Sequence, residues 1–321
     1  ALNYFTGSKE HNVHLRQIAI KKGLKLNEYG LFKGTKRVAG KTEREIYKAL
    51  GLSFIEPELR ENTGEIEASA NGNLPKLIAY GSLKGDLQVQ TNWTDGEHSI
   101  EEMAEAAMRM GFEYIAVTDH TKSLAMTGGS DERKLNEQMK YIDELNAKFK
   151  IQNSKFRILK GAEVNIMKDG SLDIADEVLE KLDVVGAAVH LHFTLPAKEQ
   201  TARVVRAMQN PHVDIFFHPT ARIINKRPPI EVDIEEVITV AKDTGTVLEI
   251  DAYPDRSDLK DEYIRKAVEA GVKLAIDSDA HSTAHFQFLE FGVAQARRGW
   301  ATGNDVINTK SAGEMLKMLK H

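Results

Sequence analysis

Cysteine is absent from the 321 residues. Its absence excludes disulfides and thiolate metal sites and leaves His, Asp and Glu as the strong ligands on offer, a set suited to hard or borderline ions. No apolar run approaches the length of a membrane span, and the start carries no basic-then-apolar targeting segment. A soluble, cytoplasmic protein with no membrane partner is therefore expected. An excess of positive charge is missing too: 43 Lys and Arg face 48 Asp and Glu, for a net charge of −5. Without an overall basic field, any contact with nucleic acid must rest on local patches. There is no phosphate-cradling glycine loop, no serine-nucleophile elbow and no internal repeat beyond a βα period. The chain opens on Ala1-Leu2-Asn3 instead of methionine and is expected to be a piece of something longer.

What is present is an apolar share of 41%, enough for a large core and, at this length, for two domains. The informative feature is a repeat of short apolar runs that end in a histidine or a carboxylate. Tyr114 to Val117 leads into Asp119-His120, Ile158 to Ala162 into Glu163, and Val184 to Val189 into His190-Leu191-His192. Val213 to Phe217 leads into His218, Val247 to Ile250 into Asp251, and Leu274 to Ile276 into Asp277-Ser278-Asp279-Ala280-His281. With the strand that begins at Gly85, these make about seven buried strands in a βα series, the signature of a parallel sheet or barrel. Ligand-type residues at the C-terminal ends of successive barrel strands are where such a fold keeps its chemistry, so the pattern implies a polynuclear metal site. One strand-end histidine would be unremarkable; the repetition carries the argument. Alternation along the opening strand sets Gln88 and Gln90 on one face, two residues apart.

The region before this series reads differently. Tyr4-Phe5-Thr6-Gly7-Ser8 predicts a turn, with Ser8 capping a helix through about Lys22 that Gly23 ends. A hairpin-like segment with turn glycines Gly30 and Gly34 follows, and Thr42-Glu43-Arg44-Glu45 predicts a capping box that opens a helix to about Leu50. These residues, with Asn12, Arg16 and Leu26-Asn27-Glu28-Tyr29-Gly30-Leu31, resemble the last polymerase subdomain of family X DNA polymerases. Pro57-Glu58-Leu59-Arg60-Glu61 and Gly64-Glu65-Ile66 continue the prokaryotic version of that pattern. The resemblance implies that Tyr4, Phe5 and Gly7 line the nucleotide sugar and that Asn12 and Arg16 reach the minor-groove edge of the nascent pair. The family's catalytic aspartates lie upstream of any residue present, so this chain alone is not expected to polymerise.

Beyond a small, polar connector at 68–73, the chain resembles the PHP (polymerase and histidinol phosphatase) domain that follows the polymerase core in many prokaryotic family X enzymes. The implied architecture is α/β: a thumb-like subdomain over residues 1–78, then a distorted (β/α)7 PHP barrel over 79–321. In that family nine residues hold three metal ions, and the carry-over places them at Gln88, Gln90, Asp95, His120, Glu163, His190, His218, Asp279 and His281. The resemblance implies Gln88, Gln90, Glu163 and Asp279 around a first ion. It implies Glu163, His190 and His218 around a second, and Asp95, His120 and His281 around a third. Glu163 and Asp279 are the implied catalytic carboxylates. An imidazole lone pair has real affinity for zinc, whereas a neutral amide oxygen is a weaker donor better matched to manganese or magnesium. Two sites for zinc or manganese and a weakened third are therefore expected, with magnesium serving the polymerase as a whole.

His190-Leu191-His192 recreates a histidine pair two residues apart, although His192 reads more simply as a strand-end residue bonded in its loop. His98 and His285 are expected at the surface, and His212 sits in a turn with no evident role. Lys122, Arg222, Lys226 and Arg227, each shortly after a ligand-bearing strand, are candidate phosphate contacts or ordinary solvated cations. The expectation is a part of a DNA repair polymerase that works on gapped or recessed DNA with dNTP, as a monomer, with a metal-dependent 3′-to-5′ exonuclease barrel. The rival is a barrel that no longer catalyses and serves as a structural or DNA-contacting module.

Overall fold

The computed structural model describes residues 2–151 and 155–320. The chain divides between Leu77 and Ile78 into two compact units.

In the first unit, helix α1 (Leu2–Thr6) precedes α2 (Lys9–Lys21). The aromatic segment expected to be a turn is thus mostly helical; the turn is confined to Gly7 and Ser8. Ser8 caps α2 as expected, its hydroxyl accepting from the His11 N–H at 3.1 Å. Three short antiparallel strands follow, β1 (Lys25–Asn27), β2 (Gly30–Lys33) and β3 (Lys36–Ala39), then α3 (Glu43–Ala49). Gly30 has φ 142 and lies so close to β3 that a Cβ would meet the Ala39 carbonyl at 2.6 Å. That contact makes the glycine obligatory. The capping box at α3 forms by half: Thr42 accepts from the Glu45 N–H, but the Glu45 carboxylate takes the N–H groups of Gly40 and Lys41. Helix α4 (Glu65–Asn71) completes the unit.

The second unit is built on seven parallel strands in chain order: β4 (Gly85–Val89), β5 (Tyr114–Val117), β6 (Arg157–Asn165), β7 (Val184–Ala188), β8 (Ile215–Phe216), β9 (Val247–Asp251) and β10 (Leu274–Asp277). Nearly every strand residue is buried, because helices cover the outer face and side chains fill the inside. Tyr114 and Phe217 supply much of that filling, and their rings need the glycines opposite. A Cβ on Gly85 would lie 2.4 Å from the Tyr114 ring, and one on Gly186 only 1.8 Å from Phe217.

The ends of the series meet without a regular strand ladder. Gln90 N donates to Ala280 O at 2.8 Å, Ala280 N donates to Gln88 O at 3.2 Å, and Asp277 accepts the Leu87 N–H at 2.8 Å. Asn308 ties the seam from below, donating to the carbonyls of Gly85 and Ile276 at 3.0 and 2.6 Å. The barrel is nearly closed, and β8 contributes only two residues to it. The register of β4 against β5 shifts by one residue between Asp86 and Val89. That irregularity includes Gln88 and locally breaks the strand's alternation.

Helix α5 (Ile100–Arg109) follows the loop that leaves β4 and is opened by a full capping box between Ser99 and Glu102. A second full box, between Ser311 and Glu314, opens the last helix.

Candidate metal centre

The loops and strand ends at the C-terminal rim of the barrel bring the expected ligands together around one carboxylate. Glu163, near the end of β6 and fully buried, holds His218 Nε2 at 2.8 Å and His190 Nε2 at 3.1 Å against its Oε1. Its Oε2 lies 3.2 Å from His120 Nδ1 and accepts the amide N–H of Gln90 at 2.8 Å. On the far side of His120, Nε2 is 3.6 Å from Asp95 Oδ2, which is also 3.7 Å from His281 Nε2. Asp95, His120 and His281 therefore form one compact group that could hold a divalent ion, and His120, Glu163 and His190 form another.

Two of the histidines are oriented through their Nδ1 atoms, His190 by Asn165, which the sequence reading did not single out, and His281 by a backbone carbonyl. His190 Nδ1 donates to Asn165 Oδ1 at 2.8 Å. The amide of Asn165 can only face that way, since its nitrogen donates to Asp173 Oδ2 at 2.8 Å and to Thr121 Oγ1 at 3.0 Å. Likewise His281 Nδ1 donates to the Asp279 carbonyl at 2.8 Å. With the proton fixed on Nδ1 in a neutral ring, Nε2 carries a lone pair. In both cases that lone pair faces a carboxylate oxygen. Two acceptors pointed at each other repel unless a proton or a metal ion lies between them, and outer partners of this kind are how metal-ligating histidines are usually held.

Electrostatics tell the same story. Burial by itself would raise the Glu163 carboxyl, but the surrounding His120, His190 and His218 outweigh it and hold it well below the usual carboxylate range. His218 is pushed down to about 4, chiefly by burial and next by the nearby Arg256 cation, so its ring is neutral and fit to ligate. His281 goes the other way: burial opposes its charge, yet Asp279 and Asp95 raise it to about 10. In the absence of an ion those carboxylates recruit a proton where a divalent cation could sit.

The strain at this rim is local. His218, Asp279 and His192 are non-glycine residues with positive φ, of 28, 50 and 56. Such backbone clusters at functional sites. Two buried carboxylates hold the rim in shape. Asp119 accepts from Thr91 Oγ1, Thr94 Oγ1 and Gln138 Nε2, each at 2.6 Å, fixing the loop that carries Asp95. Glu249 Oε2 accepts the His218 N–H at 2.5 Å.

The remaining expectations fall out as follows. Gln88 is fully buried and neither of its amide atoms has a hydrogen-bond partner. His192 joins neither ligand group; its carbonyl accepts from Gln200 at 3.5 Å. His98 and His285 are partly buried, not at the surface. His285 in fact accepts the His281 N–H at 3.2 Å and stacks on Phe288. Lys122 pairs with Glu132 at 2.5 Å, and Lys226 with Asp255 at 3.1 Å. Arg227 donates to the Ala221 carbonyl at 2.8 Å and lies over the Phe193 ring, and Arg222 donates to the carbonyls of Arg256 and Ser257. In the first unit Asn12 is buried, its amide nitrogen 2.9 to 3.1 Å from the carbonyls of Tyr4, Gly7 and Ser8. Tyr4 and Phe5 are exposed, and the Arg16 guanidinium lies 5.5 Å over the Tyr4 ring.

Comparison with known proteins fits this geometry. The sequence model of the PHP domain matches residues 86–252. The chain belongs to the PHP family. Ahead of the PHP domain, the DNA polymerase beta thumb matches residues 1–61, so the resemblance to a family X polymerase is borne out in both parts and in their order. A DNA polymerase/3′-5′ exonuclease PolX of Bacillus subtilis is 41% identical over 99% of this chain, and the chain spans 55% of that protein's length. A probable phosphatase of Thermoanaerobacter sp. is 32% identical over 74% of this chain and 96% of its own. Among solved structures, a histidinol phosphate phosphatase of Lactococcus lactis, complexed with zinc, L-histidinol and phosphate, superposes with a TM-score of 0.51. It is 15% identical over 67% of this chain and 93% of its own, which bears out the expected PHP barrel as a fold. No helix among the described residues is long and apolar enough to cross a membrane.

Proposed function

We propose that the PHP barrel is a divalent-metal-dependent phosphoesterase acting on DNA ends as a 3′-to-5′ exonuclease within a family X repair polymerase. The observation that carries this reading is the pair of histidine Nε2 atoms aimed at carboxylate oxygens, His190 at Glu163 and His281 at Asp95, with each opposite ring nitrogen already held by an acceptor. Zinc or manganese fits this all-nitrogen-and-oxygen donor set. Bound ions would bring positive charge to the phosphoryl oxygens and acidify water. In this chain Glu163, His190 and His218 would hold one ion, and Asp95, His120 and His281 the other. Asp279 sits beside His281 at the same rim, Oδ1 to Nδ1 3.8 Å.

The first unit would contribute to DNA and dNTP binding in a longer, magnesium-dependent polymerase. There Tyr4, Phe5 and Gly7 would lie against the sugar, with Arg16 toward the minor groove and Asn12 shaping the turn that presents them. The protein would act as a cytoplasmic monomer. Lys122, Arg222, Lys226 and Arg227 already have partners, so substrate phosphate would have to compete with Glu132, Asp255 or backbone carbonyls for them.

The test is digestion of a recessed DNA duplex by the full chain after metal removal and reconstitution with zinc or manganese. Metal-dependent release of 3′ nucleotides that Glu163→Gln abolishes is the expected result. A second reading, a barrel that binds ions but no longer hydrolyses, is favoured by Gln90, whose amide N–H occupies Glu163 Oε2 and offers it no ligand oxygen. Bound zinc without release of nucleotides would decide for it.

A further inference from the structure

At the same rim as the imidazoles, against Asp279, stands Arg256. This residue lies in the loop after β9, which carries no recognisable pattern. Its Nε is 3.2 Å from Asp251 Oδ2 and 3.4 Å from Asp279 Oδ2, and its Nη1 is buried without a hydrogen-bond partner. Asp279 is the carboxylate expected to serve the first ion, together with Glu163 and the two glutamines.

The backbone that carries this guanidinium is fixed. Arg222 Nε donates to the Arg256 carbonyl at 2.8 Å, and its Nη2 donates to the Ser257 carbonyl. Two residues on, Asp258 accepts both the N–H and the hydroxyl of Thr220, each at 2.9 Å. Ser257, between them, takes a φ of 45. The loop is therefore over-determined, and Arg222, a candidate phosphate contact, positions Arg256.

The glutamine donors expected around that ion are also poor. Gln90 turns an N–H, not its oxygen, toward Glu163, and a charged carboxylate can only accept, so the amide cannot reverse without losing that bond. A cation already sits against Asp279, and like charges in a buried site repel strongly. We propose that Arg256 supplies, as a resident guanidinium, the positive charge that a first ion would bring, so that the centre takes two divalent ions and excludes a third while Arg256 is present. The inference rests on the phosphoesterase reading only for the positions of those two ions.

The experiment is zinc stoichiometry of the full chain, stripped of metal, reconstituted with excess zinc, desalted and measured by plasma mass spectrometry. The arms are the wild type, Arg256→Lys, the pair Gln88→His with Gln90→His, and that pair combined with Arg256→Met. Circular dichroism confirms folding. Two zinc ions are expected for the wild type, for Arg256→Lys, which keeps a cation, and for the paired histidines. A third is expected only when Arg256 is also removed. A third ion in the paired-histidine chain with Arg256 intact overturns the proposal, and so does a folded triple variant that still holds two. If the triple variant does not fold, the paired-histidine arm decides alone, two ions supporting the proposal and three refuting it. Zinc bound by no arm overturns both this proposal and the phosphoesterase reading; two ions without nucleotide release removes only the latter.

Discussion

The first unit and the barrel rim both bury charge, and they treat it in opposite ways. In the first unit, His11 is fully buried between the Glu65 carboxylate at 2.5 Å and the Tyr47 hydroxyl at 2.9 Å. Arg60, equally buried, donates to Glu43 at 2.6 Å and, through Nε and Nη2, to the Ile55 carbonyl. Among the described residues, no buried side-chain nitrogen or oxygen in 2–77 lacks a hydrogen-bond partner. At the rim, Gln88, His120, His190, His218, Asp251 and Arg256 each leave at least one unmatched. Buried polar groups in folded proteins are almost always paired, so a closed network reads as structure and a cluster of unmatched atoms as a place for a ligand.

The largest effect that would break this contrast is at Glu163. Replacing it with glutamine removes the charge shared by the histidines and one of its two oxygens. Zinc affinity should fall by more than the ~10–100-fold typical of losing an outer partner, measured by titration against a competing chelator. In the wild type, zinc at 100 times its dissociation constant should stabilise the fold by about 2.7 kcal/mol. That rise in melting temperature should vanish in Glu163→Gln. An unchanged rise would mean the unmatched atoms are not a metal site.

A smaller effect is expected one shell out. Asn165→Leu leaves every ligand in place but frees His190 to turn and to move its proton, so zinc affinity should drop roughly 10–100-fold. The pH dependence of binding should change with it, because the ring would no longer be held in one tautomer. A merely structural Asn165 would lower the melting temperature and leave zinc affinity alone.

How far the sequence could anticipate this depends on what each residue answers to. Strand-end residues such as His120, Glu163, His190 and His218 were legible because the period of a buried parallel strand fixes where its end falls, and the barrel topology does the rest. Asn165 and Asp173 were not, since a polar residue that orients a histidine carries no spacing of its own. Arg256 was invisible for a different reason: it reaches Asp279 from a loop whose path is set by Arg222 and Asp258, long-range contacts that no local pattern encodes. His285 was misplaced at the surface because a 3₁₀ turn, Thr283–Phe288, folds it back onto His281. In the first unit, Thr6 was read as turn and proved helical. Its segment is fastened to Arg60, more than fifty residues away, and tertiary contact overrides local propensity.

The smallest predicted effect tests the other side of the contrast. Glu65 is held below the ordinary carboxylate range: burial acts to raise it, but the His11 hydrogen bond and the N–H groups of Asn62 and Thr63 outweigh burial. A carboxyl whose pKa is lower folded than unfolded stabilises the fold fully above its unfolded value, about 4.3, and that stabilisation disappears as pH falls through the folded value. Melting curves of the wild type should therefore show stability dropping below about pH 4. Glu65→Gln should start lower at pH 7 and show a flatter decline, because a neutral amide has no proton to gain. Zinc should leave this difference unchanged, since a network that is already closed offers an ion nothing. If zinc altered it, the unmatched atoms of the rim and the matched atoms of the first unit would not be the separate classes that their hydrogen bonding makes them.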